Sequence, residues 1–376
     1  SASSAASDVY KRQVLLFVFN RWIFGSFSNL CHVKSSKPKI LIIYTGGTIG
    51  MVEDHHSKTL KPFDFNEVNK ELPELKKIKC QIDAVSFKKP IDSSNVSPKI
   101  WEKIGDYIFE NYDNYDGFVV LHGTDTMSYS ASALSFMFQN LDKPIIFTGS
   151  QLPIGMVRTD GKENLITAIE IASTKRDNVS LVQEVAIYFE YQLYRANRTT
   201  KISSEHFEAF KSYNFPSLAE AGIDSNSHIN SLYRPKKNRL SYLKGFDPRI
   251  LIIVFFPGIS EKNVKNQLEN TSAKVIILMT YGSGNIPLSD QIMKLIKRHT
   301  SKGVVFLNVS QCKVGRVEQQ KYETGKQLYS SGVIGVGDMT LEAVITKSML
   351  YLHRYKNQVE LFKKEFLTEK AGEFSI

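Results

Sequence analysis

Three short segments carry the hydroxyls, carboxylates and glycines from which covalent chemistry can be built: Thr45-Gly46-Gly47-Thr48-Ile49-Gly50, His122-Gly123-Thr124-Asp125-Thr126 and Thr148-Gly149-Ser150-Gln151. A threonine hydroxyl is a poor nucleophile at neutral pH and needs a base, and a lysine serves as one only when its charge is suppressed or shared. Thr124 and Asp125 put a hydroxyl and a carboxylate side by side, and Lys201, after Arg195-Ala196-Asn197-Arg198-Thr199-Thr200, is the best-placed lysine to join them. Glycines beside these hydroxyls let the backbone approach a ligand and leave amide hydrogens free for a carboxylate or a developing oxyanion. Each segment alone also fits a plainer reading, the Gly-Gly-Thr loop as a tight turn whose threonine caps the next helix and Lys201 as a surface lysine. Neither the full phosphate-loop pattern nor the dinucleotide fingerprint is present at Thr45–Met51, which weakens a nucleotide enzyme.

Each loop closes a short continuous apolar run, the pattern of a parallel strand buried on both faces. Ile40 to Tyr44 leads into the first, Phe118 to Leu121 into the second and Ile145 to Phe147 into the third, and Val185 to Phe189 precedes Lys201. Apolar spacing of three and four residues predicts helices over 126–139 and 160–174. Strands alternating with helices imply a doubly wound sheet, and ligands bind at the carboxyl ends of its strands. A stretch at 223–248, poor in large apolar residues and rich in Ser, Asn, Lys and Arg, reads as a linker. Beyond it, strands are expected at 250–255, 275–278 and 304–307, with helices near 260–269, 288–299, 340–352 and 357–368. The expected fold is α/β with two α/β domains: a larger N-terminal doubly wound (flavodoxin/Rossmann-like) sheet over 38–222 and a smaller C-terminal parallel-sheet domain over 249–376. Residues 1–37 form a leader that does not conform to either.

The net charge of +10 invites a nucleic-acid reading, but six basic residues against Asp8 in positions 1–39 supply half of it. The remainder is spread without a basic-aromatic stripe, so no nucleic-acid partner is expected. With 42% apolar and 23% charged residues and no long apolar run, the chain reads as a folded soluble protein with no membrane span. Cys31, Cys80 and Cys312 are widely spaced, so neither a disulfide framework nor a zinc site is indicated. In the leader, Lys11-Arg12 followed by Val14 to Phe19 resembles a short secretion signal, but Asn20-Arg21 interrupts it and no small-residue cleavage site is clear.

Tyr44 to Gly50 and Leu121 to Met127, in this order, resemble the paired signatures of the bacterial-type L-asparaginases. Tyr194-Arg195-Ala196-Asn197-Arg198-Thr199-Thr200-Lys201 is similar to the lysine loop of their cytoplasmic type I branch, and Asp92-Ser93-Ser94-Asn95 to their substrate-binding turn. The similarity continues through Phe256 to Ile259, Tyr281 to Asn285 and Gly335 to Thr340, and does not cover residues 1–37.

The resemblance implies hydrolysis of L-asparagine to L-aspartate and ammonia through an ester on Thr48, with weaker action on L-glutamine. Thr124, Asp125 and Lys201 match the second catalytic group, Asp125 also meeting the substrate's α-ammonium. Ser93, with Asp92 near it, matches the position that holds the α-carboxylate. No metal is expected, because His122 lacks a second ligand at metal spacing, and no cofactor, because an acyl-enzyme hydrolysis needs none. The resemblance further implies a cytoplasmic homotetramer, a dimer of dimers, and a separate regulatory asparagine pocket whose lining segments contain Thr200 and Cys312. One departure stands out: where the family often has a tyrosine on the loop after the nucleophile, this chain has Leu60, with His55 and His56 read as exposed loop residues. The rival readings are a glutaminase-asparaginase, one methylene apart in substrate and hence separated by only about 1–3 kcal/mol, the asparaginase-like subunit of a tRNA-dependent amidotransferase, and a non-catalytic amino-acid binder.

Overall fold

The apolar runs become the centre of the larger sheet. In this computed structural model, which describes residues 37–53, 60–62, 72–221, 226–227, 231–235, 239–287 and 289–375, strands β1 (Lys39–Tyr44), β2 (Gln81–Ser86), β3 (Gly117–Leu121), β4 (Ile145–Thr148) and β5 (Val185–Phe189) run parallel. β6 (Gln192–Arg195), β7 (Ala219–Glu220) and β8 (Asn226–Ser227) extend the β5 edge antiparallel, giving the order β8-β7-β6-β5-β4-β3-β1-β2. The strand order reverses at β1, which lies between β3 and β2. That reversal leaves a crevice at the carboxyl ends of β1 and β3, the place where doubly wound sheets take their ligands.

Alternate residues of each central strand enter opposite layers. Leu41, Ile43, Phe118, Val120, Ile145, Phe147 and Ile187 pack on one face with helices α1 (Pro98–Glu110) and α2 (Met127–Met137). Ile40, Ile42, Tyr44, Val119, Leu121, Ile146 and Ala186 pack on the other, against Leu165, Ala168, Ile169 and Ala172 of α3 (Gly161–Ser173). With both faces covered, every position of β3, β4 and β5 is buried. Burying such a side chain is worth about 1.5–3 kcal/mol, so the register at the carboxyl ends is strongly held.

A second sheet, β9 (Ile250–Val254), β10 (Val275–Thr280), β11 (Val305–Ser310) and β12 (Val333–Gly335), is parallel throughout and in sequential order. Helices α4 (Glu261–Glu269) and α5 (Asp290–Ser301) cover one face; α7 (Leu341–Tyr355) and α8 (Val359–Phe366) cover the other, with α6 (Glu323–Ser330) leading into β12. The two-sheet α/β architecture and the helices expected at 126–139, 160–174, 260–269, 288–299, 340–352 and 357–368 are therefore present. Helices α1 and α6 and strands β2, β6, β7, β8 and β12 are additional to the expected elements. Helix α2 is buried on nearly every side because it lies between the two sheets, Phe136 entering the apolar layer of the second. Part of the stretch at 223–248 is ordered: Asn226–Ser227 is the edge strand of the first sheet, and Ser241–Tyr242 pairs with Phe138–Gln139 in a separate two-stranded sheet. The leader before Lys37, and His55 and His56, lie outside the described residues. No helix among the described residues is long and apolar enough to cross a membrane.

Candidate active site

The loop after β1 turns on two glycines that no other residue could replace. Gly46 has φ 137° and Gly47 φ 88°, both in the region closed to side chains. A Cβ on Gly47 would sit 2.5 Å from the Cα and N of Gly123, so the residues preceding Thr48 and Thr124 pack backbone on backbone. Thr45 fixes the approach by donating from both its amide (3.0 Å) and its hydroxyl (2.9 Å) to the Leu121 carbonyl. Thr48 then opens a short 3₁₀ turn, Thr48–Gly50. The Tyr44 hydroxyl donates to the Gly50 carbonyl at 3.2 Å, and burial pushes its pKa up to about 12, so it remains a neutral donor.

The turn carrying Ser93 docks on the same point. A Cβ on Gly123 would lie 2.6 Å from Ser93 Oγ and 2.7 Å from its Cβ, and the Thr126 hydroxyl donates to the Ser93 carbonyl at 2.7 Å. Ser93 is buried. Asp92 is exposed and folds back on its own turn, accepting from the Ser94 amide and hydroxyl at 2.9 Å each. Those bonds hold its carboxyl below the usual range. Gly123 has an ordinary φ of −68°, so Gly123→Ala introduces no backbone strain, only the clash with Ser93. The expected result is a raised KM for the amino-acid substrate with a smaller change in kcat, checked by steady-state kinetics.

After β3 the chain makes the turn Thr124–Thr126 and enters α2, placing Asp125 near a helix N-terminus that favours its negative charge. Lys201 reaches this turn from the two-residue strand Thr200–Lys201, paired with Phe210–Lys211. Its Nζ donates to Thr124 Oγ1 at 2.8 Å and to Asp125 Oδ1 at 2.6 Å. The lysine side chain is 17% exposed and that of Asp125 63%; the pair is closed on the lysine side and open to solvent on the other. With Nζ as its donor, the Thr124 hydroxyl directs its own proton to Gln151 Oε1 at 3.3 Å. Gln151 is held in turn by its Nε2 donating to the His206 carbonyl at 3.0 Å. The third loop, Thr148-Gly149-Ser150-Gln151, is legible in the sequence, but spacing alone gives Gln151 no part in the chemistry; its being the only amide side chain in that loop is the available signal.

His122 is fully buried, and burial pushes its pKa down to about 4. Its hydrogen bonds admit one proton arrangement. Nδ1 must donate to the Gly123 carbonyl (2.7 Å), so Nε2 accepts from Ser130 Oγ (2.9 Å), which accepts from Trp101 Nε1 (3.0 Å). His122 is a neutral strut beneath the loop, not a base facing substrate. Among the described residues no group of three or more His, Cys, Asp or Glu could hold a metal. Leu60 pairs through its backbone with Glu53 in a short hairpin of Met51–Glu53 with Leu60–Pro62.

Thr124, Asp125 and Lys201 thus touch directly, and Thr48 and Ser93 are brought to them by glycine contacts. Thr200 and Cys312 lie apart, lining a second pocket with Arg198, Asp338, Lys313 and Glu342. There the Thr200 hydroxyl donates to Glu342 Oε1 at 2.5 Å, and burial holds the Glu342 carboxyl above its usual range.

The chain is similar to known proteins along most of its length. The family model for the asparaginase N-terminal domain matches residues 39–236, and that for the glutaminase/asparaginase C-terminal domain matches 249–364. L-asparaginase 1 of Escherichia coli (strain K12) is 38% identical over 341 residues, covering 90% of this chain and 98% of that protein. The crystal structure of L-asparaginase I from Vibrio cholerae aligns with TM-score 0.79 at 35% identity, over 91% of this chain and 100% of that one. The thermostable L-asparaginase from Thermococcus kodakarensis aligns with TM-score 0.81 at 29% identity, over 90% and 99%.

Proposed function

Since this chain belongs to the asparaginase family, we propose that it hydrolyses L-asparagine to L-aspartate and ammonia with Thr48 as nucleophile. The observation that carries the reading is Lys201 Nζ bridging Thr124 Oγ1 and Asp125 Oδ1 at the crevice between β1 and β3. Thr48 Oγ attacks the side-chain amide carbon, its proton ends on the departing nitrogen, and the C–N bond breaks to release ammonia. Water then adds to the β-aspartyl ester, a proton returns to Thr48 Oγ as the C–O bond breaks, and L-aspartate leaves. Lys201 and Thr124 assist these transfers, the lysine sharing its charge with Asp125. Gly47 and Gly123 leave backbone near the carbonyl where an oxyanion develops.

A free amino acid brings two charges, and a site that meets both rejects ligands leaving one unpaired. Asp125 receives the α-ammonium and Ser93 the α-carboxylate. Asp92 serves the carboxylate site by stabilising the turn that presents Ser93. The longer L-glutamine is a weaker substrate in this reading, the active form is a cytoplasmic homotetramer built as a dimer of dimers, and no cofactor takes part. Ammonia release by purified protein from each amide without ATP or tRNA tests the reading; no release from L-asparagine would sink it.

A second asparagine site is supported by the pocket that contains both Thr200 and Cys312, residues 112 positions apart in sequence yet lining one cavity. In this reading initial rate rises sigmoidally with L-asparagine concentration, and a plain hyperbola counts against it.

A further inference from the structure

The arm that carries Lys201 is tied to a segment that has no part in the chemistry. We infer that residues 370–373, which follow α8, act as a positioning strap for Lys201; the inference rests on the reading of the site given above. Four successive carbonyls of this segment accept side-chain donors from the first sheet's side of the molecule. Tyr233 Oη donates to Lys370 (3.0 Å), Asn197 Nδ2 to Ala371 (3.0 Å), Arg195 Nη1 to Gly372 (3.3 Å) and Arg198 Nη1 to Glu373 (2.9 Å). Three of these donors fall within the four residues Arg195–Arg198, and Lys201 is three residues further on. All three are buried, Asn197 completely.

The segment is itself fixed from beneath. Glu373, 0% exposed, accepts from Lys347 Nζ (2.5 Å) and from the amides of Lys370 and Ala371. Lys347 also donates to the carbonyls of Phe366 and Thr368, so the strap is anchored to α7 rather than to the arm it holds. Within the arm, Thr199 Oγ1 closes on the Arg195 carbonyl at 2.7 Å and Thr340 Oγ1 donates to the Asn197 carbonyl at 3.2 Å. The path from strap to chemistry is short: a 3₁₀ turn at Ala196–Arg198, then Thr200–Lys201, then Nζ on Thr124. A displacement of the turn passes directly to Nζ, and a misplacement on the order of 1 Å at a reacting group can cost up to about a hundredfold in rate.

Asn197→Ala is the clean probe. It removes the bond to Ala371 and also an amide oxygen, Oδ1, that is buried without a partner among the described residues; because it also leaves the Ala371 carbonyl without this donor, the urea midpoint is measured beside kcat, and Tyr233→Phe serves as the second probe. Tyr233→Phe loosens the strap from its other end without altering the arm. Both are expected to lower kcat for L-asparagine about three- to tenfold with KM unchanged. In a Lys201→Ala background, neither is expected to lower the residual kcat further, because two residues acting through one group are not additive. Unchanged kcat in both single variants would overturn the strap, as would equal proportional losses with and without Lys201. If Lys201→Ala alone keeps full kcat, the reading of the site itself falls, and the strap with it.

Discussion

Thr48→Ala is expected to lower kcat for L-asparagine by a factor of at least about 10³, since removing a nucleophile leaves only the residual effect of binding and polar preorganisation. The fold should not notice. The loop is held by Thr45 on the Leu121 carbonyl and by the fit of Gly47 on Gly123, neither of which involves the Thr48 side chain. Stability should therefore stay within about 0.5 kcal/mol of the parent, the range of substitutions that touch no buried network. Affinity for L-aspartate, measured by calorimetry, should persist, because Ser93 and Asp125 are untouched. A loss of rate together with a loss of folding would place Thr48 in the scaffold instead.

The largest expected effect on stability is at Asp338. Its carboxylate forms a two-pronged pair with Arg198, Oδ1 to Nη1 at 3.0 Å and Oδ2 to Nη2 at 2.7 Å, and Oδ1 also accepts the Ser375 amide at 2.9 Å. The side chains are 1% and 7% exposed for Arg198 and Asp338. Asp338→Ala leaves a buried guanidinium without its counter-charge, a change that costs about 3–5 kcal/mol, to be read from the urea midpoint at pH 7. Burial pushes the Asp338 carboxyl up, but the hydrogen bonds from Arg198 and Ser375 outweigh it and hold the carboxyl below its usual range. A carboxyl lowered in the folded state stabilises above its unfolded pKa, near 4, and that contribution is lost as pH falls through the folded value. The gap between parent and variant should accordingly be widest near neutrality and narrow below about pH 4. A gap that widened on acidification would mean the pair is not ionic in the fold.

The chain states much of this in its own pattern, and the reason is burial. β3, β4 and β5 are covered on both faces, so their sequences are continuous apolar runs that end where the functional loops begin. β2, at the sheet edge, is half exposed along Gln81–Ser86 and carries no such run. Helix α1 is not among the elements expected from the pattern, although Ser97-Pro98 marks its start and Trp101, Ile104 and Ile108 its buried face. The Thr124–Lys201 contact spans 77 residues; residue type suggested it and the resemblance named it, but only the packing of Thr200–Lys201 beside the β3 loop brings the atoms together. Gln151 and the neutral His122 strut depend on hydrogen-bond direction, which no spacing encodes. Asp92, next to Ser93 in sequence, is turned to its own backbone because an Asx-type turn satisfies it locally.

The most direct test of Thr48 as the acylated residue is an acid quench during steady-state turnover of L-asparagine, followed by proteolysis and mass measurement of the peptide containing Thr48. This peptide is expected to gain one aspartyl group as an alkali-labile ester, and the gain to vanish in Thr48→Ala. An aspartyl ester on another residue, Thr124 included, or turnover that continues at the parent rate in Thr48→Ala, would contradict it.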